Sequence, residues 1–274
     1  MYPTPHAAPA RAAFTVPQLQ QRKRRGEKIV ALTCYDASFA ACLDAGGIDL
    51  ALVGDSLGMV VQGHASTLPV TLDAMVYHCA AVARGLASAL LVADLPFMSF
   101  RDEAMALATA ARLMAEGGAA MVKLEGAGRV CGIIAALVQQ DVPVCAHLGL
   151  TPQSVHRFGG YRVKGRDEAD AGRLLDDAHR VAEAGAAALV LECVPAALAA
   201  RITREVDIPT IGIGAGVDCD GQVLVAYDLL GLTPGRRPRF TRNFLEGRDS
   251  VVAAFAAYRD AVRDGSFPAA EHSY

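Results

Sequence analysis

The chain has no pair of cysteines in a CxxC arrangement, and its seven cysteines are odd in number and scattered. A disulfide framework or a cysteine-ligated zinc site would need regular, paired spacing. Several of the seven sit inside apolar runs, where cysteine behaves as a small hydrophobe, as expected of a protein kept in a reducing compartment. No apolar run reaches the roughly 18 residues that a membrane-spanning helix requires. The stretch from Gly85 to Ala93, for example, is bounded by Arg84 and Asp94. Residues 1–14 are rich in alanine and proline but carry no continuous apolar segment of the kind a secretory signal needs. They are expected to form a disordered extension. The formal net charge is only −3, so neither a basic nor an acidic surplus marks the chain for nucleic acid or a membrane surface. The cysteine usage leads to the expectation of a cytoplasmic location, with an organelle-targeting peptide as the alternative reading of residues 1–14.

What is present is apolar mass in a regular beat. Of 274 residues, 53% are hydrophobic, enough for one large α/β domain. The pattern repeats an amphipathic helix, a Gly or Pro break, a short apolar strand and a polar tip. Eight strands are expected, at Ile29–Cys34, Leu50–Gly54, Ala89–Ala93, Ala119–Leu124, Val142–Ala146, Ala188–Leu191, Pro209–Ile213 and Gln222–Ala226. Their nearly continuous Val, Leu, Ile and Ala content suits parallel strands covered on both faces. Leu72, Met75, Val76, Cys79, Ala83 and Leu86 follow helical spacing, as do Ala171, Leu174, Leu175, Ala178 and Ala182. Further helices are expected over Arg101–Glu116, Arg129–Gln140, Ala196–Glu205 and Asn243–Arg263. Eight βα-like units predict a (β/α)8 TIM barrel, with residues 15–274 as a single catalytic domain. An initial helix near Val16–Arg25 would cap its lower end, and its Arg22–Arg25 run reads as a solvated helix face.

Most of these strands end on an ionisable residue: Asp36, Asp55, Asp94, Glu125, His147 and Glu192. An unpaired charge at a buried strand end is costly, so one repeated at the same end of successive strands suggests a shared polar mouth. In Met121–Glu125, alternation puts Met121, Lys123 and Glu125 on one face, with Val122 and Leu124 on the other. Lys123 and Glu125 then either enter the mouth or form an internal pair. Asp55, Asp94 and Glu125 make an all-oxygen set that suits Mg2+ or Mn2+ better than Zn2+. Asp36 reads as a helix N-cap. His147 and Glu192 are each a candidate general base, with a hydrogen-bonded core histidine as the alternative for His147. The glycine-rich Ile211–Gly216 does not match a dinucleotide fingerprint, and Arg157–Gly165 reads as a lid or an ordinary surface turn.

Motifs in order then carry a family likeness: Val53-Gly-Asp-Ser-Leu-Gly-Met59, Ala93-Asp-Leu-Pro-Phe-Met98, Val122-Lys-Leu-Glu-Gly126, His147-Leu-Gly-Leu-Thr-Pro-Gln-Ser154, Phe158-Gly-Gly-Tyr161 and Leu191-Glu-Cys-Val-Pro195. Over about Thr15 to Ser273 the chain resembles the ketopantoate hydroxymethyltransferases of the phosphoenolpyruvate/pyruvate barrel superfamily. The resemblance implies transfer of a one-carbon unit from 5,10-methylenetetrahydrofolate to 3-methyl-2-oxobutanoate, giving 2-dehydropantoate for pantothenate synthesis. It further implies Asp55, Asp94 and Glu125 as Mg2+ ligands, with Asp55, Ser56, Asp94 and Lys123 on the 2-oxo acid. Glu192 is implied as proton acceptor, and His147 as a residue of the mouth. Family members form large rings, often decamers, which implies a homo-oligomer. A sister Mg2+-dependent C–C or C–P lyase or mutase is the alternative. Such enzymes more typically carry a reactive cysteine in a mobile loop, and Arg157–Gly165 has none.

Overall fold

A computed structural model describes residues 11–235 and 237–274. Eight parallel strands close into a barrel in sequence order. They are β1 Ile29–Thr33, β2 Leu50–Val53, β3 Leu90–Asp94, β4 Met121–Glu125, β5 Val144–Gly149, β6 Ala188–Glu192, β7 Thr210–Ile213 and β8 Gly221–Leu224. Closure is made by β1 against β8, where Ile29 pairs with Gly221 and Leu32 with Leu224. Around the strands run α1 Val16–Arg25, α2 Ala37–Ala45, α3 Leu57–Val60, α4 Leu72–Gly85, α5 Glu103–Ala115 and α6 Arg129–Val138. The series continues with α7 Val155–Phe158, α8 Glu168–Glu183, α9 Ala196–Glu205, α10 Ala226–Leu229 and α11 Val251–Arg263.

Strand alternation divides the apolar residues into two cores. Inward-facing side chains, among them Ile29, Leu50, Val92, Met121, Cys145 and Val190, fill the barrel. Val122, Leu124, Ala146, Leu189 and Leu191 face outward and pack with the helices. Each fully buried leucine or valine contributes roughly 1.5–3 kcal/mol, so the two layers together oppose the ordering entropy of a long chain. The face assignment expected for β4 is the one observed.

Several boundaries differ from expectation. The strand expected over Val142–Ala146 runs on to Gly149, so His147 lies within β5 rather than at its tip. The last helix begins at Val251, not Asn243, because Ser250 caps it by accepting from the Ala253 amide. The one-turn helices α3, α7 and α10 are too short to show a period in sequence.

Of the expected N-terminal extension, residues 1–10 lie outside the described residues. Within the remainder, Phe14 is buried, and the Arg11 guanidinium bonds to the Ile48 carbonyl and the Asp49 carboxylate. Leu19 of α1 is buried among the inner-core residues. The basic run of α1 is partly engaged: Arg22 pairs with Asp49 at 3.1 Å and Lys23 with Asp220 at 2.8 Å. Asp49 has a fully buried side chain, and Arg263 approaches it as well, at 3.3 Å.

Candidate active site

β3, β4, β5 and β6 bring their ends into one cavity of about 340 Å³. Register explains the meeting: Asp94 is the cross-strand neighbour of Lys123, and Glu125 that of His147. Asp94, Lys123, Glu125, His147 and Glu192 all fall on the inward phase of their strands. Asp55 and Ser56 enter from the turn after β2. All seven residues expected at the site therefore line this cavity. Asp36 does not; it caps α2 by accepting from the Phe39 amide at 2.9 Å.

The polar contacts form a connected chain. Lys123 Nζ stands 2.7 Å from Asp94 Oδ1 and 3.3 Å from His147 Nδ1. An ammonium can only donate, so Nδ1 is the acceptor and Nε2 carries the imidazole proton. That Nε2 lies 3.2 Å from Glu192 Oε2. Asp94 Oδ2 accepts from the Asp55 amide at 3.0 Å. Gln153 links the remaining acids, its side-chain amide donating to Asp55 Oδ2 at 2.8 Å and its backbone amide to Glu125 Oε2 at 3.0 Å.

Burial and crowding set the protonation states. Asp55 is pushed up to about 7, first by burial and then by the neighbouring Asp94 carboxylate. Glu125 is raised for the same reasons, burial and the Asp55 charge. Burial also lifts Glu192 to about 7, with the Lys123 ammonium pulling in the opposite direction. Lys123 is buried too, but the Asp94, Glu125 and Asp55 carboxylates outweigh that penalty and hold its proton. His147 is driven well below its usual range by burial and by Lys123, so its imidazole is neutral. Burial raises the thiol of Cys193, which excludes it as a ready thiolate.

The donor set suits a hard divalent cation, since mutually repelling carboxylates need a positive charge. No group of three His, Cys, Asp or Glu side chains is gathered to hold a metal ion among the described residues. Gln153 and Lys123 already engage the three acids. Mg2+ retains several waters and needs only one or two direct carboxylates, so the Asp55–Asp94 pair fits it.

Residues that the strand-tip pattern did not reveal complete the site. Tyr35 Oη lies 2.8 Å from Ser56 Oγ, and Gln153 is buried between two acids. Tyr161, from the segment expected as a lid, lies across the mouth with its hydroxyl 3.6 Å from Met59 Sδ. Tyr35 sits one residue before Asp36, and Gln153 lies in a short 3-10 turn, so neither occupied a strand tip. The Ile211–Gly216 glycines serve packing: a Cβ on Gly216, whose φ is +88°, would come within 2.6 Å of Ala196 Cβ.

Comparison with known sequences identifies the lineage. The family model of ketopantoate hydroxymethyltransferase matches residues 13–270. The chain belongs to the ketopantoate hydroxymethyltransferase family. It is 57% identical over 265 residues to a 3-methyl-2-oxobutanoate hydroxymethyltransferase of Burkholderia thailandensis, covering 97% of each chain. A relative of the same name from Xylella fastidiosa is 59% identical over 262 residues, covering 95% of this chain and 96% of the other. Among solved structures, a phosphonopyruvate hydrolase in complex with oxalate and Mg2+ superposes with a TM-score of 0.59 at 14% identity, covering 94% of this chain and 93% of that one. A 2,3-dimethylmalate lyase of the PEP mutase/isocitrate lyase superfamily gives 0.56 at 17% identity, covering 79% and 82%. At such identity these two structures establish the shared barrel, while the ketopantoate hydroxymethyltransferase family is set by sequence.

Proposed function

We propose that the protein transfers a hydroxymethyl group from 5,10-methylenetetrahydrofolate to 3-methyl-2-oxobutanoate, yielding 2-dehydropantoate for pantothenate synthesis. The observation carrying this reading is the grouping of Lys123, His147 and Glu192 at one mouth inside a family-matched barrel. It supplies a fixed cation for the 2-oxo acid and a carboxylate of near-neutral pKa for its C3 proton.

In this reading Lys123 and Ser56 hold the substrate carboxylate, with Tyr35 fixing the Ser56 hydroxyl. Positioning of this kind lowers the barrier by removing orientational freedom before reaction. Asp55 and Asp94 would hold Mg2+, with Glu125 as the third acid of the set. When bound, the ion would supply Lewis-acid stabilisation of negative charge developing on the keto oxygen. Glu192 accepts the C3 proton, a task for which its raised pKa is suited at neutral pH. His147 presents Nε2 to Glu192 at 3.2 Å, and Lys123 fixes the imidazole from its other side. Tyr161 and Met59 cover the mouth and keep water from the carbanion equivalent. Water hydrolyses the donor's methylene bridge, breaking both C–N bonds to give tetrahydrofolate and the one-carbon unit as formaldehyde. C3 then bonds to that carbon while the formaldehyde oxygen takes up the proton that Glu192 had accepted, becoming the product's hydroxyl.

Family membership also supports a homo-oligomer, which light scattering measures directly. The seating of Leu19 among inner-core side chains supports α1 as the element that closes the lower end. The decisive assay is turnover of 3-methyl-2-oxobutanoate with methylenetetrahydrofolate. Formation of 2-dehydropantoate establishes the reaction, whereas cleavage of a 2-oxo acid without the folate would favour a lyase.

A further inference from the structure

A second and larger cavity, of about 770 Å³, adjoins the mouth. One segment separates them. Leu150, Pro152, Tyr161 and Val163 face the mouth, while Thr151, Gln153, Ser154, Arg157, Phe158 and Lys164 face the second cavity. Glu125 borders both. Arg157–Gly165, read from sequence as a lid or a surface turn, therefore overlaps a partition that begins at Leu150.

The second cavity is lined by more cations than anions, with Arg101, Arg129, Arg157, Lys164 and Arg173 against Glu125, Asp170 and Asp177. Arg129, Arg157 and Lys164 have no carboxylate within ion-pairing distance among the described residues. Arg129 donates to the Arg101 carbonyl at 2.8 Å. The Arg157 guanidinium lies 5.4 Å from the centre of the Phe158 ring, and the Lys164 ammonium 3.2 Å from it. The acids present are engaged: Asp170 pairs with Arg173 at 3.1 Å, and Asp177 with Arg180 at 3.5 Å.

The one-carbon donor of the proposed reaction has two chemically unlike ends. Its methylene carbon must reach C3 of the 2-oxo acid, whereas its glutamyl tail carries two or more carboxylates. That tail cannot share the mouth with Asp55, Asp94, Glu125 and Glu192 without strong like-charge repulsion. The unpaired cations behind the partition offer the complement. We propose that this cavity is the subsite for the donor's glutamyl tail, with Arg129, Arg157 and Lys164 as its anion contacts and Phe158 as the apolar floor. The proposal rests on the hydroxymethyl-transfer reading and specifies where its second substrate lies.

The test compares methylenetetrahydrofolate bearing one glutamyl residue with the same donor bearing three. For the wild-type protein KM should be on the order of tenfold lower for the triglutamyl donor, and this advantage should shrink as salt is raised. In the Arg129→Ala/Arg157→Ala protein the two KM values should converge to within about twofold. Calorimetry with triglutamyl tetrahydrofolate, which lacks the transferable carbon, should show a matching loss of affinity. A thermal melt like that of the wild type excludes unfolding as the cause, and Arg157→Glu alone provides a second variant. Equal KM values for the two donors in the wild type, or an unchanged ratio in the variants, would overturn the subsite. A wild-type protein that exchanges the C3 hydrogen of the 2-oxo acid yet turns over neither donor would instead overturn the reaction itself.

Discussion

His147 Nε2 stands 3.2 Å from Glu192 Oε2, a neutral imidazole facing a carboxyl group whose pKa is lifted to about 7. The imidazole cannot readily take a proton itself, because burial and the Lys123 charge both oppose its cationic form. We therefore propose Glu192, and not His147, as the base of the reaction.

The first expected outcome concerns Glu192. A carboxylate acts as base only when ionised, and a pKa raised to about 7 leaves it largely protonated in more acidic solution. The rate of deuterium exchange at C3 of 3-methyl-2-oxobutanoate should climb with pH up to about 7 and level off above it. Glu192→Gln should lower that rate by about 10²- to 10⁴-fold, even without folate. Exchange at the wild-type rate would assign the base elsewhere.

Lys123→Met removes the cation that holds down the pKa values of Asp55, Glu125 and Glu192. The inflection of the exchange profile should then move to higher pH, and KM for the 2-oxo acid should rise. Leaving Asp94 buried without its partner should also cost about 3–5 kcal/mol of stability near neutral pH, measured by denaturant unfolding. An unmoved inflection would show that Lys123 has no electrostatic hold on the base.

Metal dependence should separate the acids. Asp55→Asn and Asp94→Asn should each abolish saturation by Mg2+ in calorimetric titration. Glu125→Gln, which retains a group able to bond water, should weaken it by roughly 10- to 100-fold. Loss of binding in all three variants alike would make Glu125 a direct ligand.

Asp49→Asn acts at the opposite end of the barrel. The substitution removes the charge from a fully buried carboxylate that Arg11, Arg22 and Arg263 all approach. Unfolding free energy should fall by about 3–5 kcal/mol, while KM for the 2-oxo acid stays within about twofold of the wild-type value. A KM that shifts as far as the stability would show that the two poles of the barrel are coupled.

The sequence makes some of this architecture legible and hides the rest for physical reasons. Lys123 and Glu125 are readable because period-two alternation in β4 separates Met121, Lys123 and Glu125 from the outward pair Val122 and Leu124. His147 and Glu192 are visible as charges ending apolar runs, but their contact depends on β5 running past His147 to Gly149. At Gly149 the backbone passes so close to β6 that a Cβ would lie 2.2 Å from the Glu192 carbonyl oxygen. No local propensity encodes that approach. The carboxylates Asp55, Asp94 and Glu125 on one side and His147 with Glu192 on the other are joined through the Lys123–His147 contact. Gln153 escapes notice because a glutamine in a short turn reads as solvated until tertiary structure buries it. The shift in the start of α11 has a simpler cause, since Ser250 offers a cap that the apolar pattern around Phe244 obscures.

The arginine cluster around Asp49 has a consequence for how the chain is made. Asp49 receives arginines from positions 11, 22 and 263, and β1 completes its hydrogen bonding only with β8. A ribosome therefore exposes Asp49 and the open flank of β1 long before their final partners have been synthesised. Contacts of such sequence separation slow folding, and unsatisfied strand edges favour association between nascent chains. The rivet that stabilises the finished barrel thus leaves its growing intermediate dependent on protection from its own neighbours.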